Sequence, residues 1–106
     1  MKRTQNEKIL QIKFETLIVG IDVGKETHYA RAFDFRGIEL AKLLRFSNSR
    51  QGYETLENWM QKIMQEHKKT EAIVGFEPTG HYWFTLGDHL QRKGHRLGIV
   101  NPFHVK

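Results

Sequence analysis

Two short apolar runs in this chain each end at a carboxylic acid, and this repeated pattern constrains the fold most strongly. The first run covers residues 17–21 and precedes Asp22, and the second covers residues 72–76 and precedes Glu77. Short apolar runs of this kind are typical of strands buried in a sheet. Burying an unpaired charge costs roughly several kcal/mol, so an acid at the end of such a strand indicates a function. Two such acids side by side would offer the oxygen ligands that Mg²⁺ or Mn²⁺ prefers.

The composition is that of one globular domain. Of the 106 residues, 39% are hydrophobic, which suffices for one modest core. The absence of cysteine excludes disulfides and thiolate metal sites, and a cytoplasmic location is expected. No apolar run approaches the ~20 residues that span a bilayer, so we expect no membrane partner. The net charge of +5 weakly favours a polyanionic partner such as nucleic acid.

Hydrophobic periodicity and turn residues predict five strands and two helices. The predicted strands cover 16–24, 26–35, 38–46, 71–77 and 96–100, and the predicted helices run from Ser49 to about Lys68 and from Pro78 to about Gly94. Along the first helix, residues from Tyr53 to His67 recur at helical spacing and are predicted to face inward. The polar residues 1–15 are predicted to form a flexible tail, which leaves 16–106 as the domain.

The predicted order βββαβαβ indicates an α/β fold with a mixed five-stranded sheet. Three antiparallel strands followed by βα units on the same sheet form the ribonuclease H-like topology. Right-handed crossovers would place the fourth strand beside the first, so that the strand ends at Asp22 and Glu77 become neighbours at the carboxyl edge of the sheet.

Such a pair of acids suits chemistry at a phosphodiester. Two divalent ions about 4 Å apart activate the attacking oxygen and stabilise the leaving oxygen, and several carboxylates must hold them. Asp22 would bridge the ions and Glu77 would hold one of them. Two structural alternatives remain open: Asp22 as a turn residue that binds the backbone near Gly24, and Glu77 as an acid favoured by the N-terminus of the next helix.

The other titratable residues are weaker candidates for a site. Asp34 lies near a hairpin turn and is expected to be solvated, and Asp88 is expected to face water on the second helix. The histidines show neither HxH nor HExxH spacing, so a zinc site is not expected.

Three segments carry a family resemblance: VGIDVGKETHYA (19–30), GFEPTGHYW (75–83) and GIVNPFHVK (98–106). Together they resemble the N-terminal half of the DEDD-type transposases of bacterial insertion sequences. That group includes the Piv-type site-specific invertases, and its nuclease domain is like the RuvC Holliday-junction resolvase. The resemblance covers residues 16–106. It implies that Asp22 and Glu77 are the first D and the E of a catalytic tetrad that binds Mg²⁺ or Mn²⁺.

The resemblance also implies features of the whole enzyme. The last two acids of the tetrad are expected beyond Lys106 on a final helix, and a C-terminal domain carries a proposed nucleophilic Ser. The chain is therefore expected to be an N-terminal fragment that lacks the final helix and is inactive alone. The implied function is cleaving and joining DNA in the bacterial cytoplasm, at the nucleoid. An element-encoded guide RNA and a homo-oligomer of the full-length protein are implied as partners.

Two other functions remain as alternatives. Sugar-kinase and actin-like ATPase lobes also have an apolar-Asp-x-Gly segment before a hairpin, as at Ile21–Gly24, but usually place Thr or Ser where this chain has Lys25. A non-catalytic ribonuclease H-like module that only binds nucleic acid is the second alternative.

Overall fold

The computed structural model describes residues 12–76 and 84–98, which form one sheet and two helices. The strands are β1 (Thr16–Asp22), β2 (Thr27–Phe33), β3 (Leu44–Ser47), β4 (Glu71–Phe76) and β5 (Arg96–Gly98), and the helices are α1 (Arg50–His67) and α2 (Phe84–Arg92). Residues 1–11 of the predicted tail lie outside the described residues, as do Glu77, the predicted start of the second helix at Pro78, and residues 99–106.

The five strands lie in the order β3-β2-β1-β4-β5. β1 is antiparallel to β2 and parallel to β4, and β4 is parallel to β5. The prediction that the fourth strand lies beside the first is confirmed. The β1–β4 register runs from Thr16 opposite Glu71 to Ile21 opposite Phe76, so both strands end at the same edge.

The hydrophobic core lies between the helices and one face of the sheet. Side chains alternate between the two faces of a strand, and the core receives Leu17, Val19 and Ile21 of β1 with Ala72, Val74 and Phe76 of β4. The helices cover them with Tyr53, Leu56, Met60 and Ile63 of α1 and with Leu86 and Leu90 of α2. Met64 and His67, predicted to face inward, are only half-buried because they lie at the margin of this stripe.

The ends of α1 show how local signals and packing combine. The Ser49 hydroxyl accepts a hydrogen bond from the Gly52 N–H at 3.1 Å, as an N-cap should. Lys68 ends the helix in the left-handed conformation, with φ of 56°. The next residue, Lys69, is buried, and its Nζ donates to the Phe14 carbonyl at 2.6 Å, which fixes the segment before β1.

The third strand is shorter than predicted because a tight turn precedes it. The Asp34 carboxylate accepts the backbone N–H groups of Arg36 and Ile38 at 2.8 and 3.0 Å, and Gly37 has φ of 82°. After this turn the chain pairs with β2 through a single bridge at Glu39 and joins the sheet again only at Leu44. Asp34 is a turn residue as predicted, but it is buried rather than solvated, because these N–H groups replace its water.

Candidate functional site

Asp22 is the last residue of β1, and its side chain is exposed on the face of the sheet opposite the core. It pairs in register with Tyr29 of β2, while the preceding Ile21 is buried against the helices. No hydrogen bond or ion pair joins the Asp22 carboxylate to another side chain in the described part of the chain.

The turn after Asp22 does not use the Asp22 carboxylate. The Gly24 N–H, which a structural role for Asp22 would need, donates instead to Nδ1 of His28 at 3.2 Å. This contact speaks against Asp22 as a turn residue that binds the backbone near Gly24. A Cβ on Gly24 would lie against the Thr27 carbonyl oxygen, so the chain passes too close to itself here for a larger residue.

His28 supports this turn from inside the core. Its side chain is buried, and its ring packs on Phe46 with centroids 5.1 Å apart. Because Nδ1 accepts a hydrogen bond, this contact fits the tautomer with its proton on Nε2, and Nε2 is buried with no hydrogen-bond partner among the described residues. His28 is thus held by the Gly24 N–H and by packing.

Asn48 supports the same turn from the other side. Its Nδ2 donates to the Lys25 carbonyl at 3.0 Å, and its N–H donates to the Glu26 carbonyl at 2.8 Å. Its Oδ1 accepts a hydrogen bond from the Tyr53 hydroxyl of α1. Burial raises the pKa of this hydroxyl above its usual 10.0, so it stays protonated and able to donate. The turn after Asp22 is therefore tied to the first helix.

We refer to His28, Asn48 and Tyr53 as the turn clamp. None of these residues was predicted from the sequence to belong to a site. Tyr53 was recognised only as an inward helix residue, and no spacing pattern marks Asn48. Only the sequence position of Asn48, one residue before the predicted N-cap Ser49, could have drawn attention to it.

Three other acids of the described residues, Asp34, Asp88 and Glu57, are paired away from Asp22. Asp34 pairs with Arg36 at 2.9 Å, at the end of β2 away from Asp22. Asp88 is exposed as predicted and pairs with Arg92 at 3.0 Å. Glu57 binds Nε2 of His95 at 2.5 Å. Within 12–76 and 84–98, no group of three or more acids and histidines could hold a metal ion.

A shallow groove of about 310 Å³ lies at the start of β4, at the opposite end of that strand from Phe76. Two of its charged residues are paired with each other, because Arg96 binds Glu71 at 2.9 Å, and Glu71 also accepts a hydrogen bond from the Thr16 hydroxyl at 2.6 Å. Asp22 is not part of this groove. The candidate site is therefore the open edge at the end of β1 and β4.

The structure brings the ends of the two acid-bearing strands together. Ile21 and Phe76 are registered partners on adjacent parallel strands, and the sequence continues from them with Asp22 and Glu77. Glu77 itself lies outside the described residues, so its role as a metal ligand stays a prediction. Within the described residues, no helix is long and apolar enough to cross a membrane.

Comparison with known proteins gives two findings. Residues 19–106 match the family model of the IS110-type DEDD transposases, whose description is "Transposase". The chain is also 30% identical over 87 residues to the pilin gene-inverting protein of Moraxella bovis. This match covers 82% of the chain but only 26% of the length of that relative.

Proposed function

This chain belongs to the family of IS110-type DEDD transposases, and from that premise we propose that it supplies part of the catalytic site of an enzyme that cleaves and joins DNA. The chain spans about a quarter of the curated relative that it matches, which inverts a pilin gene according to its name. The activity proposed here is accordingly that of the full-length protein. The family match includes both acid-bearing strands, which supports this function over a kinase lobe.

The register of β1 and β4 carries the proposal. Adjacent strands of a sheet lie about 4.8 Å apart, so acids that directly follow two registered partners lie within reach of one cation or of a pair about 4 Å apart. Ile21 and Phe76 are such partners. We therefore propose Asp22 and Glu77 as catalytic residues and metal ligands.

The donor set fits Mg²⁺ or Mn²⁺. Asp22 offers an exposed carboxylate that has no partner within residues 12–76 and 84–98, and both ions prefer oxygen ligands. When bound, a pair of such ions activates the attacking oxygen and stabilises the leaving oxygen of the phosphodiester. Asp22 would hold a metal ion through its carboxylate. The turn clamp would keep the backbone next to Asp22 in place. One carboxylate is not enough, so Glu77 and acids from outside this chain complete the proposed site.

The strand order supports a ribonuclease H-like fold of the RuvC type for this domain. An antiparallel hairpin pair followed by two parallel strands around a central β1 is compatible with that fold. The guide RNA and the homo-oligomer implied by the family resemblance remain predictions for the full-length protein.

The proposal is tested with Glu77→Gln in the full-length protein. We expect cleavage of labelled DNA that carries the recombination site to fall by a factor of about 100 or more with Mg²⁺, because amides replace carboxylates poorly as ligands. The matched control is Asp88→Asn, which removes an exposed acid on α2 and should leave cleavage unchanged. Wild-type cleavage by the Glu77→Gln variant would remove Glu77 from the proposed site.

A further inference from the structure

Tyr29, Arg31 and Arg45 lie on the same face of the sheet as Asp22, on β2 and β3. Asp22 pairs in register with Tyr29, and Tyr29 pairs with Arg45 of β3. Registered partners project to the same face, so Asp22, Tyr29 and Arg45 form a row across three strands. Arg31 lies in the next row of the same face, where it pairs with Gly20. We refer to Tyr29, Arg31 and Arg45 as the β2–β3 strip.

The β2–β3 strip is open to solvent. Both helices pack on the opposite face of the sheet, through the core residues of β1 and β4. Arg31 and Arg45 are exposed, and Tyr29 keeps 39% of its surface exposed. An exposed aromatic ring between two exposed arginines is a surface that offers both stacking and charge.

The two arginines of the β2–β3 strip carry uncompensated charge. In the described part of the chain, neither Arg31 nor Arg45 makes an ion pair or a side-chain hydrogen bond. By contrast, Arg36, Arg92 and Arg96 are each paired with an acid at 2.9 to 3.0 Å. Within the described residues, unpaired positive charge on this sheet face therefore lies close to Asp22, with Arg31 in the next row of β2 and Arg45 two strands away.

The dimensions and the charge of the strip fit a polynucleotide strand. The distance from β1, which carries Asp22, across β2 to β3 is about 10 Å, which corresponds to roughly three nucleotides at the duplex axial rise of about 3.4 Å each. Phosphates that approach a cluster of carboxylates are repelled, and arginines offset this repulsion while forming two-pronged hydrogen bonds to phosphate oxygens. An exposed aromatic ring can stack on a sugar or base without selecting a sequence.

We propose that the β2–β3 strip binds the backbone of the DNA strand and leads it to Asp22, with Arg31 and Arg45 on phosphates and Tyr29 stacked between them. The inference rests on the proposed function and deepens it, because it names the surface that the substrate follows. Binding through the strip is sequence-tolerant and weakens steeply with salt, since each phosphate contact releases counterions.

The test compares two double variants of the full-length protein that lose the same charge. Arg31→Gln with Arg45→Gln removes the charge of the strip. Lys62→Gln with Lys93→Gln removes two exposed charges on α1 and just beyond α2. Binding of a fluorescently labelled 20-nucleotide DNA strand is measured by anisotropy at several salt concentrations, with EDTA present so that cleavage plays no part.

We expect the strip variant to bind DNA about tenfold more weakly near 0.1 M salt. The slope of the logarithm of the association constant against the logarithm of the salt concentration should become less negative by about 1.5. The control should change less than twofold. Tyr29→Ala should weaken binding about threefold or more, while Tyr29→Phe should bind as the wild type does, because stacking needs the ring and not the hydroxyl.

Two results would overturn the inference. Equal losses in both double variants would mean that binding follows overall charge and not the β2–β3 strip. Unchanged DNA binding by the strip variant would mean that the strip does not contact the DNA. If the melting temperature of that variant also fell, the two arginines would have a structural role beneath another part of the protein. Because binding is measured without metal, a failed cleavage assay contradicts the proposed function alone, and normal binding by the strip variant contradicts the strip alone.

Discussion

Ile21 and Phe76 face each other as the last registered partners of two adjacent parallel strands, and in each strand the next residue of the sequence is a carboxylic acid. Both residues are buried, with 3% and 1% of their surfaces exposed, so the strand ends are fixed by the core beneath them. A close-packed core resists displacement of its side chains, so it gives the proposed metal ligands a rigid base.

Replacing Asp22 separates a catalytic role from a structural one. Asp22→Asn should abolish DNA cleavage by the full-length protein, because the variant loses the charge of a proposed metal ligand. The free energy of unfolding without metal should stay within about 0.5 kcal/mol of the wild type or rise slightly, because the side chain is exposed and has no partner in the described part of the chain. Urea denaturation and a cleavage assay test both points. A large loss of stability would show that Asp22 holds the turn.

The turn clamp should couple folding to metal binding. Tyr53→Phe keeps the buried ring but removes the hydrogen bond to Asn48, so we expect a loss of about 1 kcal/mol in stability. Asn48→Ala also leaves the Lys25 carbonyl without its side-chain donor, so its cost should reach about 1–3 kcal/mol.

Both clamp variants should also raise the Mg²⁺ concentration needed for half-maximal cleavage, since the turn that carries Asp22 is loosened. Lys62→Gln changes an exposed residue of α1 and serves as the control, with no expected change in either quantity. Reduced stability with an unchanged Mg²⁺ requirement would limit the clamp to a structural role.

Two glycine replacements distinguish the site turn from a remote turn. Gly24→Ala places a methyl group against the Thr27 carbonyl, so the hairpin after Asp22 must shift, at a cost of about 1–3 kcal/mol. Gly37→Ala meets no atom within 4 Å but has φ of 82°, which costs an alanine about 1–2 kcal/mol. Cleavage should fall in the Gly24 variant only. If the Gly24→Ala and Gly37→Ala variants had similar stability and cleaved DNA equally well, the shift of the hairpin would not reach Asp22.

Asp34 should make the stability of the domain depend on pH in acid. Burial acts to raise its pKa, but hydrogen bonds from Ile38 and Arg36 and the charge of Arg36 outweigh it, so the pKa lies below its usual 3.8. The unfolded chain therefore takes up this proton more readily than the folded chain. The contribution of Asp34 is fully present above about pH 4 and is lost as the pH falls through the lowered pKa.

The Asp34→Asn variant checks this pH dependence. It should be less stable than the wild type at pH 6, and its melting temperature should fall less steeply between pH 5 and pH 2. Glu39→Gln, which changes an exposed acid close to the same turn, is the control and should keep the wild-type slope. If the melting temperature of the Asp34→Asn variant fell as steeply in acid as that of the wild type, other carboxylates would determine the loss of stability at low pH.

The sequence by itself determined the elements and the neighbours in the sheet. Period-two and helical patterns with the Ser49 cap located β1, β2 and α1 to within a few residues, because these signals depend on side chains close together in the chain. The adjacency of β1 and β4 followed from the handedness of crossovers, which is a property of all L-polypeptides. The position of Asp22 at the end of its strand followed from the apolar run 17–21 that precedes it.

Only the tertiary structure decided the contacts between distant residues. The reach of Lys69 to the Phe14 carbonyl, 55 residues away, and the tie of Asn48 to the turn at Lys25 depend on how the helix packs on the sheet. The burial of Asp34 and the short β3 depend on a network of N–H donors rather than on the alternation of side chains. Such contacts form when the whole chain closes around one core, and no pattern among sequence neighbours records them.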